Sequence, residues 1–361
     1  MPRLFQNFDI YPGYLAHLHR LAGRGAGYAH IHDVFHDDRF VAVHMLKPTL
    51  ERSSEAAFAL GRDSKSQSDW AHSRGMASKA SAEEILLAQI EEHKTEVFYN
   101  HDPLAFGSAF IRKLPGCVRT SIAWRAAPSP GADFGAYDAI VCNFPAILES
   151  YAAQGWRSAY FYPAHDPVMD DYNRGQERPT DLLFIGTYSR HHRRRAQIIE
   201  RIAELSGTAA VRLHLYLSPM TRVSETPIGL FGPLRRHRRP KAVRRAARGP
   251  LFGRELYSAM GSARIVINGA IDMAALDRGN MRCWEALGCG ALMVSDEGLY
   301  PAGMEDSKTI VTYGGVKDLM EKVRSLLADE SLRHSIAAAG NAMVRTRYSK
   351  ERQWQDFLKL L

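Results

Sequence analysis

The sequence predicts an α/β protein made of two successive Rossmann-like domains, each a doubly wound parallel sheet. Short apolar runs of strand length alternate with amphipathic stretches of helical period along the whole chain. Strands separated by helices are joined by crossovers, which set neighbouring strands parallel. The alternation breaks at residues 163–179, rich in Pro, Asp and Gly and poor in periodicity, and then restarts. A chain of 361 residues, 45% hydrophobic and 24% charged, has enough material for a core on each side of that break. The expected boundaries are 1–165 for the first domain, 166–345 for the second and 346–361 for a final helical segment.

In the first domain, residues 39–46 (RFVAVHML) are the first strand candidate. Ser81 is an N-cap with Glu84 three residues on, a capping-box spacing that starts a helix carrying Ile85, Leu86, Ile90 and His93. Residues 96–99, 118–124 and 139–142 read as strands, 146–154 as a helix closed by Gly155, and 159–162 as a strand ended by Pro163. Residues 51–80 are polar and Ser-rich and are expected to form a mobile loop. In the second domain, strand 181–185 runs into Gly186, and helix 193–205 carries Ala196, Ile198, Ile199, Ile202 and Leu205. Strand 211–217, helix 252–260, strand 264–268, helix 281–288 and strand 292–295 follow. Residues 316–327, 331–348 and 350–361 are helical.

The net charge is +8, much of it local. Arg235, Arg236, Arg238, Arg239, Lys241, Arg244, Arg245 and Arg248 fall in one stretch with no acidic residue, and Arg190, His191, His192, Arg193, Arg194 and Arg195 in another. Such runs suit phosphate-bearing partners: a nucleotide, an anionic membrane surface or nucleic acid. Nucleic acid is disfavoured, because no aromatic residue interleaves 235–248 and no nucleic-acid module is present. No apolar run reaches the roughly 18 residues of a membrane span, and no secretory signal is expected. Cys117, Cys142, Cys283 and Cys289 form no Cys-x-x-Cys pair and no zinc-like cluster. The expected location is cytoplasmic, with peripheral contact at the inner face of a membrane through 235–248.

Ligands of open α/β sheets bind beyond the carboxyl ends of strands, so residues there are the first candidates. After strand 181–185, Gly186 is expected to let the backbone turn sharply. Thr187 and Ser189 offer hydroxyl donors to phosphate, and Arg193 and Arg194 can hold a diphosphate. Their place in the first turn of a helix opposes the helix dipole and calls for an anionic partner or solvent. Helix 281–288 presents free N–H groups beside a Gly-rich break, which suits a diphosphate, with Arg282 adding charge. Glu285 can accept two hydrogen bonds from a ribose diol. Asp277 lies eight positions earlier, across a Gly279-Asn280 turn. His101, beside Asp102 at the end of strand 96–99, can bind substrate or shuttle a proton. Tyr11 and Tyr14 lie around a Pro-Gly turn, where their rings can stack on a ligand or pack in the core. No Asp-x-Asp triplet, P-loop, Gly-x-Ser-x-Gly elbow or Gly-x-Gly-x-x-Gly after a strand is present.

The run Asn280-Met281-Arg282-x-x-Glu285-Ala286-x-x-x-Gly290 resembles the donor-nucleotide segment of GT-B glycosyltransferases. Together with Phe184-Ile185-Gly186, the arginines 193–195, Gly253-x-Glu255-Leu256-Tyr257, Ile265-Val266-Ile267-Asn268 and Tyr348-x-x-Glu351-Arg352, it is similar to the CgeB-like (spore-maturation-type) branch, a glycosyl transferases group 1-like family. The resemblance covers about residues 155–361. It implies the GT-B fold, two Rossmann-like domains facing a cleft, with the last helix packing back on the first. It implies sugar transfer from a nucleotide-sugar to a glycan, lipid-linked or protein acceptor, with retention and without a metal or other cofactor, in surface polysaccharide or glycoconjugate synthesis. Glu285 would then bind ribose. Asp277-x7-Glu285 stands where the family has Glu-x7-Glu, which puts Asp277 at the donor sugar. Gly186, Thr187, Ser189, Arg193, Arg194, Asn280 and Arg282 would complete the donor site. Tyr11, Tyr14 and His101 would face the acceptor, and the expected catalytic set is His101, Asp277 and Glu285. The competing readings are a non-catalytic GT-B domain that binds a nucleotide sugar, and a basic nucleic-acid-binding protein.

Overall fold

The computed structural model describes residues 1–174, 177–189, 192–217, 219–269 and 275–361. Arg190, His191 and the Arg236 side chain lie outside the described residues. The chain forms two compact units, residues 1–163 with 350–361, and residues 164–349.

The first unit is built on six parallel strands: β1 (Leu4–Asn7), β2 (Ala56–Ala59), β3 (Val97–Asn100), β4 (Thr120–Trp124), β5 (Ala139–Cys142) and β6 (Ser158–Tyr160), in the order β2-β1-β3-β4-β5-β6. Leu4, Val97, Tyr99, Ile122, Val141 and Phe161 form one core, which Trp354 and Phe357 of helix Lys350–Leu358 complete. Those apolar runs are short, continuous and buried, as parallel strands covered on both faces must be. The capping box forms as expected: Ser81 Oγ accepts from the Glu84 amide at 3.2 Å, and the Glu84 carboxylate accepts from the Ser81 amide at 2.7 Å.

The second unit carries β7 (Thr180–Tyr188), β8 (Val211–Leu217), β9 (Ala247–Arg248), β10 (Ala263–Ile267), β11 (Leu292–Asp296) and β12 (Val311–Tyr313), in the order β12-β11-β10-β7-β8-β9, again all parallel. Leu182, Phe184, Ile265, Leu292 and Val311 pack there against Ile198, Ile199 and Ile202 of helix Arg193–Glu204. The expected α/β class with two parallel sheets is thus the one observed.

Two expectations fail in the first unit. Residues 39–46 form turns instead of a strand. Their backbone carbonyls are served by side chains: buried Lys350 Nζ donates to Ala42, Val43 and Met45 at 2.7, 3.1 and 2.7 Å, Gln353 Nε2 to Val43 at 3.2 Å, and Gln6 Nε2 to His44 at 3.2 Å. Arg39 opens the stretch in the left-handed region, φ 66°, which breaks a ladder. Residues 51–80, expected to be a loop, hold edge strand β2 and helix Ser64–Ser73. The strand is Ala-Ala-Phe-Ala, whose weak β-propensity hides it. In the second unit, Gly186 marks no turn. It sits inside β7, paired with Leu215, and the strand continues to Tyr188.

Lys350 should be the costliest single side chain to remove in the first unit. Lys350→Ala leaves three buried carbonyls without their common donor, and urea unfolding should show a loss of about 3 kcal/mol or more. A loss below about 1 kcal/mol would mean that water replaces the ammonium.

Candidate functional site

In each sheet the strand order reverses direction once, and ligands of such sheets bind beyond the strand ends at that point. In the second unit the reversal lies between β7 and β10. Asn268 leaves β10 there, and Asn280 is the N-cap of helix Met281–Gly288. Their side-chain amides exchange hydrogen bonds at 3.1 and 3.0 Å, and Asn268 Nδ2 also donates to Ser295 Oγ at 3.1 Å. The exchange fixes the helix N-terminus, with its outward N–H groups, at the edge of the sheet. Asn280, expected at the nucleotide, has its side-chain amide engaged in this exchange.

Positive charge gathers on the same edge. Arg195 is buried and donates to the Gly269 carbonyl, while exposed Arg194 donates to the Gly314 carbonyl at 3.3 Å. Arg278 pairs with Asp296 at 2.8 Å, both nearly sealed from solvent. Tyr313, the last residue of β12, donates its hydroxyl to Asn268 O at 2.9 Å. Burial, aided by the charge of Asp296, raises the pKa of that phenol, and the charges of Arg194, Arg195 and Arg278 act against the rise. Three guanidinium groups therefore act on one strand edge, Arg278 in part balanced by Asp296, and the excess of positive charge favours an anion. Arg193 is exposed in the first turn of its helix, whose N-cap His192 makes no side-chain cap bond. Thr187 is half-buried in β7, and Ser189 is buried just after it.

Glu285 lies in the fifth position of its helix and is 2% exposed, ion-paired with Arg282 one turn earlier. Asp277 is buried in a short parallel bridge to Leu299. The bridge is pinned where Gly298 lets the chains approach: a Cβ there would lie 2.5 Å from both the Leu276 carbonyl and Arg278 Cγ. Gly290, part of the motif, has φ +71°, and a Cβ on it would run into Asn173. That glycine serves helix termination and packing.

In the first unit the reversal lies between β1 and β3. Here too an amide pair closes the strand ends: Asn7 Nδ2 donates to Asn100 Oδ1 at 2.8 Å, and the Gly61 amide donates to Asn7 Oδ1 at 3.0 Å. His101 follows β3, with ring centroids 4.4 Å from Tyr99, 5.2 Å from Phe8 and 5.4 Å from His44. Its Nε2 is sealed from solvent without a hydrogen-bond partner, and burial, aided by His44, holds its pKa well below the usual imidazole value. Next to it Arg62 bridges two carboxylates, 3.6 Å from buried Asp102 and 3.7 Å from partly exposed Asp9. Burial raises the pKa of both acids, and the charge of Asp9 raises that of Asp102 further, against Arg62 and Arg125. Carboxylates so placed suit proton transfer from a hydroxyl. Sequence reasoning named His101 and Asp102 but missed Arg62, which follows the unrecognised strand β2.

Tyr14, expected at the acceptor, does not reach solvent. It is fully buried, stacked on Phe40 with centroids 3.5 Å apart, and its hydroxyl donates to Asp38 at 2.9 Å. Tyr11 is 44% exposed and meets Phe40 edge-on, so it alone of the two can meet solvent or a sugar.

A family model described as glycosyl transferase-like matches residues 193–359. No curated protein matches the sequence. Among solved structures, HepE of Anabaena, in complex with UDP and glucose, is similar at TM-score 0.60 and 12% identity over 99% of both chains. An alpha-glucosyltransferase in complex with UDP-glucose and abasic-site DNA is similar at TM-score 0.60 and 9% identity, also over 99% of both. TarM of S. aureus is similar at TM-score 0.53 and 12% identity over 78% of this chain, which spans 58% of TarM. The fold is that of the GT-B glycosyltransferases.

Acid should destabilise the first unit before ordinary carboxylates titrate. The buried His44 imidazole is pushed down to about 3 by burial and by the neighbouring Lys350 ammonium. A depressed histidine contributes stability that is complete above its unfolded value near 6.5 and is lost as pH falls below it. Between pH 6.5 and 5 His44 should cost about 1.4 kcal/mol per pH unit. In chemical denaturation across that range, His44→Phe should flatten the slope; an unchanged slope would assign the acid sensitivity elsewhere.

Proposed function

We propose that the chain is a sugar transferase using a nucleoside diphosphate sugar, with a uridine nucleotide as the first candidate. The convergence of Arg194, Arg195 and Arg278 on the strand edge of the second unit, beside the N-terminus of helix Met281–Gly288, carries the reading. A departing diphosphate gains charge, and fixed guanidinium groups stabilise it without reorganising. The family match over 193–359 and the UDP complexes of HepE and the alpha-glucosyltransferase support the same donor class. Within that class, the motif residues favour the CgeB-like branch.

In this reading the exposed Arg193 and Arg194 act on the diphosphate, the buried Arg195 and Arg278 add positive charge behind them, and no metal is required. Thr187 and Ser189 add hydroxyls, Glu285 receives the ribose as its pairing with Arg282 opens, and Asp277 lies at the sugar. The acceptor hydroxyl is served by the first unit through Asp102, Asp9 and Arg62, with Tyr11 as a stacking surface. His101, held neutral, positions instead of carrying charge. Transfer proceeds with retention, the leaving phosphate assisting attack from the same face, so that orientation and charge stabilisation are the main contributions of the protein. The acceptor is a glycan, lipid-linked or protein hydroxyl in polysaccharide or glycoconjugate synthesis, and the setting is the cytoplasm.

The test is thermal stabilisation by UDP, GDP, TDP, CMP and ADP without added metal, followed by turnover with the matching sugar nucleotide. At 100 times its dissociation constant a ligand adds roughly 2.7 kcal/mol. One nucleotide should stabilise the wild type, and Glu285→Gln and Arg278→Gln should each reduce that effect. Stabilisation without turnover would favour the non-catalytic reading, and no stabilisation by any of them would reject the donor site.

A further inference from the structure

Residues 219–237 form a small lobe beyond β8: helix Pro219–Ser224 and the tight turns Pro227–Leu230 and Gly232–His237 pack on one another. Its apolar side chains point largely outward. Met220, Val223, Ile228, Leu230 and Phe231 are 45, 47, 72, 49 and 77% exposed. Five large apolar groups within a dozen residues are more than scattered surface hydrophobes.

The basic run continues directly from this lobe, and the structure divides its arginines by task. Arg238 donates to the Ser224 and Thr226 carbonyls, and Arg239 grips the Glu225 carboxylate at 3.0 and 3.3 Å. These two hold the lobe together. Arg235, Arg244, Arg245 and Arg248 are exposed. Beside them an open pocket of about 310 Å³ is lined by Tyr216, Arg222, Arg239, Arg244, Arg248 and Pro250, with the Arg222 guanidinium 5.3 Å above the Tyr216 ring.

We propose that this lobe and the arginines around it dock on an anionic lipid bilayer, with Ile228, Leu230 and Phe231 entering the interface and the pocket taking a lipid phosphate. Exposed aliphatic groups beside clustered arginines match an interface that is apolar below and negative above. Nucleic acid would use the arginines but would leave Ile228 and Leu230 in water, since single strands bind by stacking on planar rings. No described helix is long and apolar enough to cross a membrane, so the contact is peripheral. The inference does not rest on the transferase reading, since a catalytically dead chain would dock equally.

The experiment is co-sedimentation of the full chain at low salt with phosphatidylcholine vesicles, alone or mixed with phosphatidylglycerol. Parallel arms use single-stranded RNA and inorganic phosphate. The chain should pellet with the mixed vesicles and stay in solution with the neutral ones. Arg244→Glu with Arg245→Glu should lower partition roughly thirtyfold or more. Ile228→Ser with Phe231→Ser should also lower it, with the melting temperature of both variants unchanged. Failure to pellet with mixed vesicles overturns the proposal, as does pelleting that neither variant alters. RNA binding without vesicle binding overturns it in favour of nucleic acid. Stabilisation by phosphate alone, without vesicle binding, reduces the pocket to a site for free anions.

Discussion

Parallel pairing is the constraint from which the rest follows. Among the described residues every strand pairing in both sheets is parallel, so every strand delivers its carboxyl end to the same edge. The chain must leave the ladder there, and the polar groups released must find partners or water. Both units solve this with a side-chain amide pair at the reversal of strand order, Asn7 with Asn100 and Asn268 with Asn280. An amide pair offers donor and acceptor at each end, so it ties two loops together without placing a charge there. The charged groups are then set around it.

Much of the fold was legible in the sequence because parallel strands are short, apolar and separated by helices. The failures have local causes. A continuous apolar run reads equally as a buried strand or as buried turns, and 39–46 became turns because Lys350 and Gln353, some three hundred residues later, supply the hydrogen bonds. Nothing within the run announces that. Strand β2 lacked β-branched residues and was overlooked, and with it Arg62, whose place between Asp9 and Asp102 depends on that strand.

The candidate site was legible as places more than as roles. Strand ends and the helix start at 281 were readable from punctuation, but side-chain partners were not. Tyr14 and Tyr11 are three residues apart and look alike in the sequence; one is sealed against Phe40 and Asp38 and the other half open. The arginine runs show the same limit. Arg195, Arg238 and Arg239 are committed to carbonyls or a carboxylate, while Arg193 and Arg245 are exposed. A guanidinium can serve either end because it has five donors and no acceptor. Charge counting in a sequence cannot separate the two uses.

The helix Lys350–Leu358 belongs to the unit that begins at residue 1. On the ribosome that unit is therefore interrupted: its six strands emerge first, yet the lysine that satisfies Ala42, Val43 and Met45 arrives only after residues 164–349 have been made. At common elongation rates the wait is roughly 10–40 s, long compared with the folding of a compact α/β unit. The second unit is continuous and can close during that interval. The nascent chain thus completes its parts out of order, with the first sheet exposing the Tyr99–Phe161 surface that Phe357 later covers. That surface is where a holding chaperone would act.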